Sequence, residues 1–202
     1  FLDFLGEIAA ACAAENLFAP GPVIVSAGGS AFYDIVTDTF ARLDLGREIM
    51  PLTRSGCYLT HDSASYVRAF ERLRERGLVG LPNGTPVPAL EVWTLVQSRP
   101  ENEKLILTAG KRDVSFDADM PVPERWFRPG LHQAPQALPP GHVVTGLNDQ
   151  HAHVTVPASS PLRVGDMVAL GISHPCTTFD KWQVMCVVND DYDVVSAIRT
   201  FF

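Results

Sequence analysis

The sequence contains no apolar run close to the roughly 20 residues that a membrane-spanning helix needs. It also lacks an excess of positive charge, because 23 Asp and Glu residues outnumber 16 Lys and Arg residues and leave a net charge of −7 at pH 7. An acidic surface repels phosphate backbones and anionic lipid headgroups. We therefore expect neither a nucleic acid nor a membrane as a partner.

Paired cysteines are absent as well, since the four cysteines are widely spaced and form no CxxC motif. They are expected to be reduced thiols. The first 18 residues are mostly apolar but include Asp3 and Glu7 and no Lys or Arg, which argues against a secretory leader. These features predict a cytoplasmic protein, and the phenylalanine at position 1 suggests that this residue is not the native start.

The residues that are present are typical of a globular protein, with 46% hydrophobic and 19% charged residues in a chain of 202. Helices and strands are predicted to alternate in the order helix 1–18, strand 23–25, helix 31–43, strand 47–53 and helix 63–76. This alternation is typical of a parallel α/β domain, and the wholly apolar strand 23–25 is expected to be buried. Because two parallel strands cannot close a barrel, we expect the end of a larger α/β domain; a small α/β layer is the alternative.

The remainder of the chain is predicted to be β-rich and mostly antiparallel. A linker-like stretch at 81–88 precedes predicted strands at 90–96, 104–108, 142–145, 151–156 and 167–172 and a closing hairpin of 183–188 with 194–202. Residues 113–141 contain six prolines and are predicted to form a long irregular loop, and loops of that length are often functional. We therefore divide the chain into an α/β part at 1–80 and a β-rich domain at 81–202.

Two glycine-containing loops follow the two predicted strands of the α/β part, at 26–30 (SAGGS) and 54–58 (RSGCY). Glycines let backbone N–H groups approach an anion, and the N-terminus of the next helix adds a partial positive charge. Ser30 is also a candidate N-cap. Consecutive loops of this kind resemble the phosphate site of a (β/α)8 barrel, with simple turns as the alternative. The candidate phosphate ligands are Ser26, Gly28, Gly29, Ser30, Gly56, Cys57 and Tyr58.

A histidine and a cysteine two positions apart form the candidate metal site. Pro175 disfavours the α-helical region for His174, and residues two apart in an extended segment point to the same side. His174 and Cys176 are therefore predicted to converge on one ion, and imidazole with thiolate favours Zn²⁺. Two ligands leave positions open for water or substrate, as in a catalytic site. A buried thiol beside a hydrogen-bonded histidine is the alternative.

A second histidine cluster occurs at 149–153 (DQHAH). His151 and His153 are predicted to share one strand face with Thr155, and that face is either functional or merely solvated. The motifs of zinc proteases, serine hydrolases and nucleobase deaminases are absent.

The two glycine loops, followed by LNDQHAH at 147–153 and SHPCTTFDKW at 173–182, resemble the D-serine dehydratase/D-threonine aldolase family. These pyridoxal-phosphate (PLP) enzymes have the alanine-racemase-like fold. The resemblance implies that the chain contains the terminal part of a PLP-binding (β/α)8 barrel followed by a mostly antiparallel β-domain. It covers nearly the whole chain, as roughly the second half of a family member.

Residue by residue, the resemblance assigns His174 and Cys176 to a site for Zn²⁺ or another divalent metal. The family's dehydratases carry His and Cys there, whereas its threonine aldolases tend to carry His and Asp, so Cys176 favours a dehydratase. The resemblance assigns the two glycine loops to the PLP phosphate and His151 to the family's Glu/Gln-His motif, with a catalytic role. In the family's Asp-x-Gly-x-Lys segment, Thr108 stands in place of the usual Asp.

The activity that the resemblance implies is that of a PLP- and metal-dependent lyase, which removes water from a D-amino acid such as D-serine and releases ammonia. A D-threonine-aldolase-type cleavage and a non-catalytic binding or assembly module are the alternatives. The family's Schiff-base lysine lies on an early barrel strand, and none of Lys104, Lys111 and Lys181 matches it. We therefore interpret the chain as a fragment that is inactive alone and belongs to a homodimer when intact.

Overall fold

A computed structural model describes residues 1–77 and 86–201, except for the side chain of Tyr58. The chain forms two compact units. The first unit contains Phe1–Leu59 and Ala69–Thr85, and the second contains Thr60–Arg68 and Pro86–Phe202. Part of the predicted linker, 81–85, lies outside the described residues, and the division into domains at 1–80 and 81–202 remains a prediction.

The first unit contains the predicted alternation of helices and strands. Its elements are α1 (Leu2–Ala14), β1 (Val23–Ala27), α2 (Tyr33–Ala41), β2 (Ile49–Thr53) and a 3₁₀ turn at Cys57–Leu59. Strands β1 and β2 pair in parallel, from Val23 opposite Ile49 to Ala27 opposite Thr53. The two glycine loops therefore leave the same edge of this sheet.

The prediction that the first strand is fully buried is wrong. Val23 and Val25 are buried, but Ile24 between them is 63% exposed. Only one face of β1 packs on the apolar cluster of the first unit, which includes Val36 and Phe40 of α2. Alternation is the physical reason, since successive strand residues point to opposite faces of a sheet.

The second unit is built on a seven-stranded antiparallel sheet. Its strands are β3 (Glu91–Glu101), β4 (Lys104–Leu107), β5 (Val122–Phe127), β6 (Gln136–Ala137), β7 (Val143–Leu147), β8 (Ala152–Thr155) and β9 (Met167–Gly171). They pair in the order β6-β5-β9-β3-β4-β8-β7. The predicted β-rich, antiparallel character is confirmed.

Two helices and a hairpin complete the described elements. Helix α3 spans Ser65–Glu75 and α4 spans Pro175–Phe179, whereas β10 (Val184–Val188) and β11 (Val194–Arg199) form the predicted antiparallel hairpin. Across the residues the structure describes, no helix combines the length and apolarity needed to cross a bilayer.

The predicted irregular loop at 113–141 is wrong in part, because it contains β5 and β6. Strand β5 pairs with the interior strand β9, and its Trp126 belongs to the buried core. The register shifts between Pro123 and Arg125, so an irregularity in the ladder accompanies the proline. The prolines concealed the strand pattern in the sequence without preventing the strand.

Candidate functional site

The His174 segment connects β9, an interior strand of the seven-stranded sheet, to helix α4. His174 is the N-cap residue of α4, with extended backbone angles of φ −149° and ψ 99°. This agrees with the restriction that a proline imposes on the preceding residue. Pro175 then begins the helix, where its missing N–H has no intrahelical partner to lose.

The predicted backbone geometry of Cys176 is wrong. The sequence argument placed it in an extended segment, but Cys176 lies in the first turn of α4. Pro175 keeps His174 extended and itself has helical geometry, so the extended conformation ends before the cysteine is reached. Cys176 is exposed. The two candidate ligands therefore lie on either side of a helix start, and their convergence on one ion stays a prediction.

Asp117, which the sequence analysis missed, holds the ring of His174. The Asp117 Oδ2 atom lies 2.6 Å from Nδ1 of His174, and the Thr177 hydroxyl donates to the other carboxylate oxygen at 2.8 Å. Partial burial raises the pKa of the Asp117 carboxyl, but the hydrogen bonds from His174 and Thr177 outweigh it and keep that pKa below its ordinary value. An ionised carboxylate only accepts, so Nδ1 carries the proton.

The loop that carries Asp117 is anchored to both sides of the His174 segment. The backbone N–H of Ser115 donates to the hydroxyl of buried Thr178, and the backbone N–H of His174 donates to the hydroxyl of Ser115, both at 3.1 Å. The Ser173 hydroxyl donates to the carbonyl of Asp119 at 2.6 Å. Buried hydroxyls thus fix the loop against α4. No local motif predicts this, because 57 residues separate Asp117 from its histidine.

The residues of this segment fit a divalent metal ion. With Nδ1 bonded to Asp117, Nε2 of His174 is the ring atom left for an ion, and a Cys176 thiolate is a suitable second donor. In the described part of the chain, no three or more His, Cys, Asp or Glu side chains group to hold a metal. A two-donor set leaves positions for water or substrate, which suits a catalytic ion rather than a structural one.

The glycine loops fit a phosphate group. The loop after β2 continues the pairing of the sheet, since the backbone N–H of Arg54 donates to the carbonyl of Ala27, the last residue of β1, at 3.0 Å. A β-carbon added at Gly28 or Gly56 would meet no atom within 4 Å, so the backbone is open to a ligand at both positions. The side-chain oxygens of Ser26 and Ser55 are buried, and neither has a hydrogen-bond partner among the described residues. Phosphate oxygens would accept hydrogen bonds from both.

The other predicted phosphate ligands lie in different surroundings, and their binding of phosphate stays a prediction. Gly29 has a left-handed φ of 124°, which requires glycine. Ser30 is half-buried, but its predicted capping role is wrong, because α2 begins at Tyr33 and its N-cap is Phe32. Cys57 is buried at the start of the 3₁₀ turn. The side chain of Tyr58 lies outside the described residues, so its role remains a prediction.

The predicted face of strand β8 is confirmed, but no contact supports catalysis by His151. Val154 is buried and His153 is exposed, as the alternation predicts. His151 is half-buried immediately before β8, where its backbone carbonyl accepts from Asn148 at 2.8 Å. Thr108 has a structural role, since its hydroxyl accepts from the backbone N–H of Leu95 at 3.1 Å.

The sequence analysis also missed a buried acidic residue, Asp62. Its Oδ1 atom accepts hydrogen bonds from the backbone N–H groups of Ala64 and Tyr66 at 2.9 and 2.8 Å, at the start of α3. Burial raises its pKa above the ordinary value despite these bonds. The adjacent His61 is also buried and has a left-handed φ of 54°. An aspartate just before a helix is a recognisable N-cap signal that could have found this residue.

Comparisons with known proteins bear on the fold and the family. Residues 89–188 match the family described as "Putative serine dehydratase domain". The fold resembles D-threonine aldolase from Filomicrobium marinum, with a TM-score of 0.63 and 20% identity over 95% of this chain and 45% of that one. It also resembles D-threo-3-hydroxyaspartate dehydratase from Delftia sp. HT23, with a TM-score of 0.54 and 20% identity over 98% and 52% of the two chains.

An ala racemase-like protein from Idiomarina loihiensis is similar as well, with a TM-score of 0.57 and 15% identity over 99% of this chain and 52% of that one. No curated protein sequence matches the chain. Identities this low establish the fold alone, and the predicted alanine-racemase-like fold is confirmed. The chain spans about half the length of these similar structures.

Proposed function

Because residues 89–188 match the family described as "Putative serine dehydratase domain", we propose that the intact protein is a PLP- and metal-dependent D-amino-acid lyase. It eliminates water from a D-amino acid with a β-hydroxyl group, such as D-serine, and yields a 2-oxo acid and ammonia. The observation that carries the proposal is His174, with Nδ1 bonded to a carboxylate and a cysteine two positions away.

The contribution of this chain to the reaction begins with the metal site. A divalent ion, when bound, stabilises negative charge on the β-hydroxyl oxygen as it leaves. His174 and Cys176 would hold the ion, and Asp117 holds His174 by the 2.6 Å hydrogen bond. With only two protein donors, the site keeps room for the substrate hydroxyl.

The glycine loops bind the phosphate of PLP. The cofactor, when bound, withdraws electrons from the substrate α-carbon. The open backbone at Gly28 and Gly56 would let N–H groups approach the phosphate, and the buried hydroxyls of Ser26 and Ser55 would be available to donate to it. The lysine that carries PLP is none of the three in this chain, so the fragment alone is inactive. We also propose a cytoplasmic homodimer for the intact protein.

Retro-aldol cleavage of a β-hydroxy-D-amino acid is the second candidate. The fold similarity to D-threonine aldolase, with its TM-score of 0.63, supports it. Both reactions use a metal at the β-hydroxyl, since the aldolase reaction must deprotonate the same group. Cys176 favours dehydration, because the resemblance associates His with Cys at these positions with dehydratases. A non-catalytic assembly module is a third candidate that an activity assay excludes.

The test uses the intact protein with D-serine and D-threonine as substrates. We expect bound PLP by absorbance, a divalent metal by elemental analysis, and pyruvate and ammonia from D-serine. Cys176→Ala should lose metal and activity while PLP stays bound, because the proposed role of the thiolate is to bind the ion and not PLP. Cys186→Ala is the matched control, since Cys186 is another exposed cysteine and lies on β10.

Three results would contradict the proposal. Undiminished activity with a strong chelator would remove the metal from the mechanism. Glycine and acetaldehyde from D-threonine, without pyruvate from D-serine, would establish the aldolase instead. Absence of both PLP and activity from the intact protein would leave the assembly module.

A further inference from the structure

We propose that Asp117 is a positioning residue for the metal, which holds the His174 ring so that Nε2 is directed to a divalent ion and thereby strengthens binding of that ion. The inference rests on the proposed metal site at His174 and Cys176. It adds a residue from the loop at 113–121, which precedes β5 and to which the sequence assigned no chemical role.

The tautomer of His174 follows from its contact with Asp117. The carboxylate lies 2.6 Å from Nδ1 and accepts the Nδ1 proton, so in the neutral ring Nε2 carries the lone pair. A metal ligand requires that lone pair. A carboxylate on the opposite nitrogen also makes the ring a stronger donor, as in the carboxylate–histidine–metal arrangement of known metal sites.

Asp117 is itself held in place by the segment that it orients. Thr177 donates to its second oxygen at 2.8 Å, and Thr177 follows Cys176 directly in α4. The carboxylate therefore bridges His174 and Thr177, the residues at the two ends of a four-residue stretch that contains both candidate ligands. Rotation of the His174 ring would break one hydrogen bond, and unwinding of the first turn of α4 would disrupt the other.

The contact between Asp117 and His174 has little value as a surface ion pair. Their side chains are 47% and 35% exposed, and exposed pairs contribute little to folding stability. The loop has other anchors, since Asp119 accepts a hydrogen bond from Ser65 at 2.7 Å and forms an ion pair with Arg68. Loss of the Asp117 side chain should therefore leave the loop folded, and the role that remains for this carboxylate is orientation.

The experiment measures Zn²⁺ affinity of the metal-free intact protein by competition with a chromophoric chelator. We expect Asp117→Ala to weaken binding by about 10- to 100-fold, as is typical for loss of an outer-shell carboxylate. Asp117→Asn should recover part of the affinity, because its amide oxygen still accepts the Nδ1 proton. Asp119→Ala is the matched control, since it removes a carboxylate of the same loop that does not contact His174.

Each outcome decides between the inference and its alternatives. If Asp117→Ala binds Zn²⁺ as tightly as the wild type while His174→Ala does not, the inference is wrong and the proposed metal site stands. If His174→Ala also binds as the wild type does, both are wrong. Equal losses of affinity in Asp117→Ala, Asp117→Asn and Asp119→Ala, with a matching fall in the metal-free melting temperature, would show a structural role and overturn the inference.

Discussion

The two candidate sites differ in whether their polar side chains have hydrogen-bond partners within the chain. In the glycine loops of the first unit, the buried hydroxyls of Ser26 and Ser55 have no hydrogen-bond partner among the described residues. In the His174 segment of the second unit, Asp117 accepts two hydrogen bonds and Ser115 both donates and accepts. A buried unpaired hydroxyl costs free energy. A ligand that accepts hydrogen bonds from Ser26 and Ser55 would therefore stabilise the glycine loops, whereas the His174 segment is held in place by hydrogen bonds within the chain.

The two units also differ in how completely their apolar side chains are buried. The seven-stranded sheet of the second unit buries a continuous core, in which Leu105 and Leu107 are almost completely inaccessible. Strand β2 of the first unit leaves Met50 and Leu52 exposed. Residues that rest on a closed core are held more firmly than residues on a partly exposed strand. We therefore expect the two units to respond differently to substitution.

The largest expected effect is on the stability of the second unit. Leu107→Ala should lower the free energy of unfolding by about 2–5 kcal/mol, because it leaves a cavity in a closed core. Leu52→Ala removes the same atoms from an exposed strand position and should change stability by less than about 0.5 kcal/mol. Chemical denaturation of both variants measures the difference. Equal losses would remove the contrast between the two units.

The next effect concerns the buried carboxylate of Asp166, whose side chain is 3% exposed. Burial raises its pKa, but hydrogen bonds from Arg128 and from the backbone N–H of Arg163 outweigh it and hold the pKa below 3.8. A lowered carboxyl pKa contributes stability above the unfolded pKa, and this contribution is lost as the pH falls through the folded pKa. Asp166→Ala should lower the free energy of unfolding by about 1–3 kcal/mol at pH 7, because the donors that bond to this carboxylate lose their acceptor.

Denaturation between pH 7 and pH 2 measures this prediction. The difference in stability between wild type and Asp166→Ala should shrink as the pH falls below the unfolded pKa of about 4 and through the lower folded pKa, where the folded carboxylate becomes protonated. A difference that stays constant across the range would show that the charge of Asp166 contributes nothing.

The fold could be predicted from the sequence where periodicity is local. The alternation at 151–156 predicted which residues of β8 face the core, and Pro175 predicted the extended backbone of His174. Strand β5 was missed because its prolines conceal the pattern and because its partner strand β9 is 40 residues or more away along the chain. Pairing over such distances leaves no local signal.

The residues of the candidate sites also fall into those that the sequence predicts and those that it does not. Residue type and spacing predicted His174 and Cys176 as candidate ligands, and glycine composition predicted the loops. Asp117 could not be predicted, because its contact with His174 depends on how a loop folds back onto α4. The prediction of an extended backbone at Cys176 was wrong, because a rule for the residue before a proline was applied to the residue after it.

A third prediction concerns Asp62, whose pKa is shifted in the opposite direction to that of Asp166. Burial raises its pKa, so stability is greatest below the unfolded pKa and falls as the pH rises through the folded pKa. Asp62→Asn keeps an acceptor for the N–H groups of Ala64 and Tyr66 and removes the buried charge. It should match or exceed the wild type in melting temperature at pH 7. Asp62→Ala should lower the free energy of unfolding by about 1 kcal/mol, because the two N–H groups at the start of α3 lose their acceptor.

Thermal denaturation at pH 4 and pH 7 tests this pair of variants. Asp62→Asn should lose less stability than the wild type between these two pH values. If Asn and Ala destabilise equally at both, then the carboxylate charge is needed at this position and the argument from burial is wrong.

The smallest expected effect on stability, and the sharpest test of the glycine loops, is Gly56→Ala. A β-carbon there meets no atom within 4 Å and the φ of Gly56 is not left-handed, so the free energy of unfolding without cofactor should change by less than about 0.5 kcal/mol. The added methyl group would occupy the space through which a phosphate reaches the backbone N–H groups. PLP affinity of the intact protein, measured by absorbance titration, should therefore fall while metal content stays constant.

Gly146→Ala on β7 is the matched control, because its β-carbon also meets nothing within 4 Å. Equal PLP affinity in the two variants would remove Gly56 from the phosphate site and leave its loop as a simple turn.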